Sequence, residues 1–120
     1  MVETIQDAKA SLEKQHLHVV CDTAQSLWIA GTVRDAGEGV RISDDACVLL
    51  ADADRWCAVF PTEGSRTYEV PGTLDELVQV IQDVYKRYFR GEISFPNAFR
   101  QAVKNPNQYL LGRPLSHISE

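Results

Sequence analysis

No stretch of this 120-residue chain approaches the roughly 18 to 20 consecutive apolar residues that cross a bilayer. The N-terminal segment MVETIQDAKASLEKQ carries acids where a secretory signal has a basic and then an apolar stretch, so no membrane association and a cytoplasmic location are expected. Cysteine is scarce: Cys21, Cys47 and Cys57 are an odd number and none belongs to a C-x-x-C pair. That excludes a disulfide framework and a zinc ribbon and leaves the thiols as reduced core residues. Phosphate-cradling signatures are missing too. The glycine cluster from Gly31 to Gly39 holds neither G-x-G-x-x-G nor G-K-[ST] and lies between strands rather than ahead of a helix. No serine sits in a G-x-S-x-G elbow, and His117 falls in the C-terminal tail, so a hydrolase triad has no support. Positive charge is short as well. Twelve Lys and Arg stand against seventeen Asp and Glu, a net charge of -5, whereas a general nucleic-acid binder needs a basic surface.

What remains is an ordinary globular composition, with 44% hydrophobic, 24% charged and 8% aromatic residues. Its length suffices for one core, giving a single domain over 1–112 and a flexible tail over 113–120. Ile5, Ala8 and Leu12 repeat at helical spacing and predict a packing helix from Glu3 to Lys14. From Leu17 the period falls to two and predicts a strand with Leu17, Val19 and Cys21 on one face and His16, His18 and Val20 on the other. Leu27 to Val33 reads as a second strand ending in a glycine-rich hairpin, and Val40 to Ile42 as a short strand pairing back before Ser43, Asp44 and Asp45 turn the chain again. Cys47–Ala51 and Trp56–Phe60 read as the arms of a central hairpin with a polar tip, and Arg66–Val70 as the last strand.

Thr73 followed by Glu76 is a capping box, in which the threonine oxygen takes an orphan amide and the glutamate reaches back to the cap. The helix it starts puts Leu77, Val78, Ile81, Val84, Tyr85 and Tyr88 on one stripe and stops at Gly91. A last helix beginning near Pro96 buries Phe95, Phe99 and Val103, and Tyr109–Leu111 forms an apolar turn capped by Gly112. Helix, short antiparallel strands, then helices give an α+β two-layer sandwich: an N-terminal helix, an antiparallel meander of about five strands, and C-terminal helices on one sheet face.

Candidate chemistry is sparse. His16 with His18, and the Asp52-x-Asp54 pair, are half-sites for a metal at best, so no metal and no cofactor are expected. Cys47 and Cys57 lie in apolar runs, where burial makes a thiol inert. Glu63, Glu69 and Asp75 form a carboxylate set only if the fold brings them together.

Charge is the most informative feature. Residues 1–84 hold fifteen acids and six bases, and residues 85–120 hold two acids and six bases. From Arg34 to Asp54, Asp35, Glu38, Asp44, Asp45, Asp52 and Asp54 face only Arg34 and Arg41. If the short third strand reverses the chain, Asp35 and Glu38 group with Asp52 and Asp54 at one end of the meander, a rim that attracts a basic protein partner. Arg90, Arg100 and Arg113 form a secondary basic patch suited to a phosphate or an acidic protein, with Tyr85, Tyr88, Phe89 and Tyr109 as neighbouring aromatic surface.

In its size, acidity and lack of a catalytic motif the chain resembles bacterial immunity and antitoxin proteins, and that resemblance implies a protein that neutralises a toxin by covering its site. The expectation is therefore a non-enzymatic protein-binding module. Two alternatives stand beside it. One is a small-molecule or catalytic domain with a pocket between the sheet and the Thr73 helix, lined by Trp28, Trp56, Tyr68 and Tyr85. The other is a structural homodimer subunit.

Overall fold

The computed structural model describes residues 3–22, 25–31, 33–35, 40–42, 45–52, 55–62 and 66–111, with backbone only for 20–22, 33–35, 40–42, 52 and 111. The chain opens with α1 (Ile5–Lys14), started by a second capping box: Asp7 N–H donates to Thr4 Oγ1 at 3.1 Å and Thr4 N–H donates to the Asp7 carboxylate at 3.2 Å. Ala8 and Leu12 bury the predicted stripe. A residue at φ 64°, His16, then reverses the chain into β1 (His18–Asp22). His16 and His18 are thus not two residues of one strand face. One makes a left-handed turn and the other opens the strand, because the helix end needs a positive φ to turn.

Strand β2 (Ser26–Ala30), the short β3 (Val33–Asp35) and β4 (Val40–Ile42), β5 (Ala46–Asp52), β6 (Arg55–Pro61) and β7 (Thr67–Gly72) follow. The long helix α2 (Leu74–Arg90), α3 (Phe95–Ala102), a 3-10 turn Pro106–Tyr109 and β8 (Leu110–Leu111) complete the chain. The fold is α+β, with an antiparallel sheet of order β1-β2-β5-β6-β7-β8. Residues 110–111 are not a capped turn. They add two residues to the β7 edge, where Leu110 pairs with Tyr68.

The helices cover one sheet face. Leu27, Leu49, Ala58 and Val70 form one cross-strand row beneath them, and Ile29, Cys47, Phe60 and Tyr68 the next, alternate residues of each strand as the period of two requires. Leu77, Val78, Ile81, Val84 and Tyr85 of α2 and Phe95, Ala98 and Phe99 of α3 fill the space above. The aromatic rings stack through it, with Phe60 and Phe99 centroids 4.7 Å apart, Tyr68 and Phe99 4.5 Å, and Tyr85 and Phe95 4.8 Å. On the opposite face the row Trp28, Val48, Val59 and Glu69 pairs across four strands, and Val48, Cys57 and Val59 make a second, small buried cluster.

The main departure from the sequence reading is the segment between β2 and β5. The expected Leu27–Val33 strand breaks after Ala30, and β2 pairs directly with β5, Ala30 opposite Ala46. β3 and β4 pair only with each other among the described strands, as a separate two-stranded ribbon whose two legs root at that end of the sheet. Val40–Ile42 therefore adds no strand to the meander.

Candidate functional site

The ribbon root is built by α2. Tyr85, buried about three turns into the helix, sends its hydroxyl to the Asp45 carbonyl at 2.5 Å, with the Ile29 carbonyl at 3.2 Å and Cys47 Sγ at 3.7 Å. Ile29 belongs to the leg that leaves the sheet and Asp45 to the leg that returns, so one hydroxyl ties the two together. Gly31 lies under the same residues. A Cβ at that position would sit 2.7 Å from Asp45 Oδ2, 2.8 Å from Phe89 Cζ and 3.1 Å from Tyr85 Cε1, so any larger residue would push the Asp45 carboxylate and the Phe89 ring aside. The sequence places Tyr85 on the core stripe. Nothing in it shows that its hydroxyl reaches two carbonyls from opposite legs of a ribbon.

The acids chosen from sequence separate. Asp35 ends β3, opposite Val40. Asp52 ends β5, opposite Arg55, six residues along the strand from Ala46 at the ribbon root, or about 20 Å. Asp35 and Asp52 therefore leave opposite ends of the β2–β5 pair. The physical reason is that β5, not β4, is the partner of β2. Glu38, Asp44 and Asp54 lie outside the described residues. Asp45 is not a rim residue, being only 1% exposed at the ribbon root.

The basic residues separate as well. Arg100 Nη1 donates to the Tyr68 hydroxyl at 3.1 Å and Arg100 Nε to Asn97 Oδ1 at 3.1 Å, which fixes it over β7. Arg90 is exposed on the last turn of α2, on a notch that Gln15 and Leu17 also line. Arg113 lies outside the described residues. Of the neighbouring aromatics Tyr85 is buried and Tyr88 and Tyr109 are half-buried, while Phe89, 53% exposed, is surface.

Of the four aromatics proposed to line an interlayer pocket, Trp56, Tyr68 and Tyr85 belong to or pack against the helix-side core and Trp28 does not. Trp28 lies on the sheet face away from the helices. Trp56 borders a cleft with Thr73 and Glu76 at the start of α2, and Tyr68 and Tyr85 are packed into the filled interlayer. Nor does the carboxylate set assemble. Glu69, 8% exposed, is on the far face with Thr67 Oγ1 at 3.5 Å and Cys57 Sγ at 4.0 Å, whereas Asp75 is in the first turn of α2 on the helix side. Glu63 is outside the described residues.

Burial governs the thiol chemistry. It pushes Cys47 from an ordinary 9.0 up to about 12, against the smaller opposing effect of the Tyr85 hydroxyl, and it pushes the Tyr85 hydroxyl well above its usual value too. At neutral pH both hold their protons, so Cys47 is a packing residue and not a nucleophile. Among the described residues no group of three His, Cys, Asp or Glu is placed to hold a metal ion, and no helix is long and apolar enough to cross a membrane. No protein-family model, curated protein sequence or solved structure matches the chain.

Proposed function

We propose that this chain is a non-enzymatic protein-binding module, of the kind that immunity proteins exemplify, and that it engages a basic partner through Asp35 and Glu38 in the segment that forms the β3–β4 ribbon. The observation that carries the reading is the ribbon itself: two short strands paired with no other described strand and rooted on a buried clamp. A two-stranded ribbon is marginal by itself in water, so a chain that keeps one outside its sheet and ties its legs together at Ile29 and Asp45 has built a presenting element. Residues 31–45 hold Asp35, Glu38, Asp44 and Asp45 against Arg34 and Arg41, and with Asp45 withdrawn into the root three acids remain against two arginines, a slight acidic excess. The packed interlayer between sheet and helices favours this reading over the pocket alternative.

The test is capture from the native cell followed by kinetics. The full chain is immobilised beside its Asp35→Lys/Glu38→Lys variant, and the protein retained only by the former is identified and its association timed. A basic protein whose association slows about tenfold or more on reversal supports the reading. A partner that is acidic, or one that binds both proteins alike, refutes it. Asp52→Lys/Asp54→Lys, at the far end of β5, serves as the control for mere loss of negative charge.

A further inference from the structure

The ribbon is too small to be a whole interface. Residues 32–44, the part of the segment between the buried Gly31 and Asp45, number thirteen, whereas a stable protein–protein interface takes about 20 to 30 residues from each side. A partner that grips the ribbon therefore rests on the body beside it as well. What stands beside the root is the end of α2. Phe89 Cζ is 2.8 Å from the place a Cβ on Gly31 would take, and Gly31 follows Ala30, the last residue of β2, where the outgoing leg leaves the sheet. Among the described residues Phe89 is the large hydrophobic side chain left exposed, at 53%. One exposed phenylalanine is ordinary by itself. This one is set in place. Its ring is stacked on Tyr85 with centroids 6.0 Å apart and meets Tyr88 at 5.5 Å, so fixing it in a bound geometry costs little entropy, as an anchoring aromatic requires.

We infer that Phe89 is the apolar anchor of the interface whose charged part is the ribbon, and that the partner is a protein with basic groups toward Asp35 and Glu38 and an apolar side chain seated on Phe89. The inference rests on the ribbon reading and extends it. Asp35 follows Gly31 by four residues, so their Cα atoms are at most about 14 Å apart. Anchor and acid thus fit inside one footprint of about 800 Å², which is about 30 Å across. Lys86 and Arg90, both exposed on the same end of α2, repel basic groups from the anchor itself, so the partner's base is directed to the ribbon and its apolar patch to the helix. The two parts act on different rates. Exposed charge steers the encounter and sets the association rate, whereas the apolar contact sets how long the complex lasts.

The experiment passes one native-cell lysate over three full-length baits, the parent, Phe89→Ser and Asp35→Lys/Glu38→Lys. Mass spectrometry quantifies what each retains, and the protein that the charge reversal loses is purified and its binding timed. It should leave Phe89→Ser about tenfold or more faster than the parent, with an association rate within about twofold and the same salt slope, and Phe89→Leu should restore most of the lifetime. A protein lost on charge reversal that dissociates alike from the parent and from Phe89→Ser overturns this inference and leaves the ribbon reading standing. No protein lost on charge reversal refutes the ribbon reading and this inference with it. A protein that Phe89→Ser loses and the reversal keeps marks a separate apolar surface and overturns the shared interface, as does a concentration-dependent dimer that Phe89→Ser dissolves. Phe89 is exposed, so the serine variant leaves the core intact, and an unchanged melting temperature confirms that it is folded. Faster amide exchange in β3 and β4 of that variant, with slower association, makes Phe89 a prop for the ribbon and overturns its role as anchor.

Discussion

Replacing Tyr85 by Phe removes one oxygen and nothing else from the point where the two legs of the ribbon are tied together. The ring keeps its stacking on Phe95 and Phe89. What is lost is the hydrogen bond to the Asp45 carbonyl and the contacts with the Ile29 carbonyl and Cys47. A net hydrogen bond is worth about 1 kcal/mol, and leaving the Asp45 carbonyl without this donor in a buried position costs about 1 kcal/mol more. With about 2.1 cal/mol/K of unfolding entropy per residue, a 120-residue chain loses about 8 °C of melting temperature for those 2 kcal/mol. The distinguishing result is local. Amides of β3 and β4 should exchange with deuterium faster by a larger factor than amides of β5 and β6, since the hydroxyl ties the ribbon legs and not the sheet centre. Calorimetry and exchange mass spectrometry on the two proteins measure both. A melting temperature within 2 °C of the parent with unchanged ribbon exchange refutes the clamp.

Alkaline pH should weaken the fold with a definite sign. The folded chain holds the Cys47 proton up to about 12 whereas an unfolded thiol releases it near 9.0, so the contribution is intact below pH 9 and is lost as pH rises toward 12. Tyr85, also raised, adds a decline of the same sign from about pH 10, so Cys47→Ala should move the onset in urea titrations upward by about one pH unit, and an unmoved onset contradicts the burial argument. In a Cys21→Ser background, Cys47 and Cys57 should resist an aromatic disulfide reagent at pH 8 until the chain is unfolded; labelling within seconds in the native state contradicts their placement. Thr73→Ala removes the oxygen that accepts from the Glu76 amide at 3.2 Å and should cost about 1 kcal/mol by denaturant unfolding, with no change counting against the capping box. Gly31→Ala should destabilise by about 1 kcal/mol or more, and Phe89→Ala should recover part of that loss because it clears the nearest ring atom; additive losses contradict the close approach.

The elements legible in the sequence are those with a local code. The α2 start is written in Thr73 and Glu76, its buried face in the Leu77-to-Tyr85 spacing, and the central hairpin in two apolar runs around a polar tip. The hairpin that pairs Val40–Ile42 back on Val33–Asp35 was legible in its glycines, but its separation from the sheet was not, because that depends on β5 pairing with β2 as far as Ala30, a long-range contact that a three-residue strand cannot announce. The same pairing scattered the candidate acids. Asp35 and Asp52 look adjacent in a meander and leave opposite ends of a strand pair once β4 is taken out of the sheet. His16 and His18 were misread for a local reason, since alternation continues through a residue whose positive φ takes it out of the strand.

The claim on which the account stands is that the ribbon presents charge to a basic partner. It is tested most directly by the association rate of the captured partner with the parent chain and with Asp35→Lys/Glu38→Lys, each followed from about 50 mM to 500 mM salt. The parent's rate should fall steeply with salt, and the variant's should be slower and nearly flat. Equal rates with equal salt slopes for the two proteins contradict it.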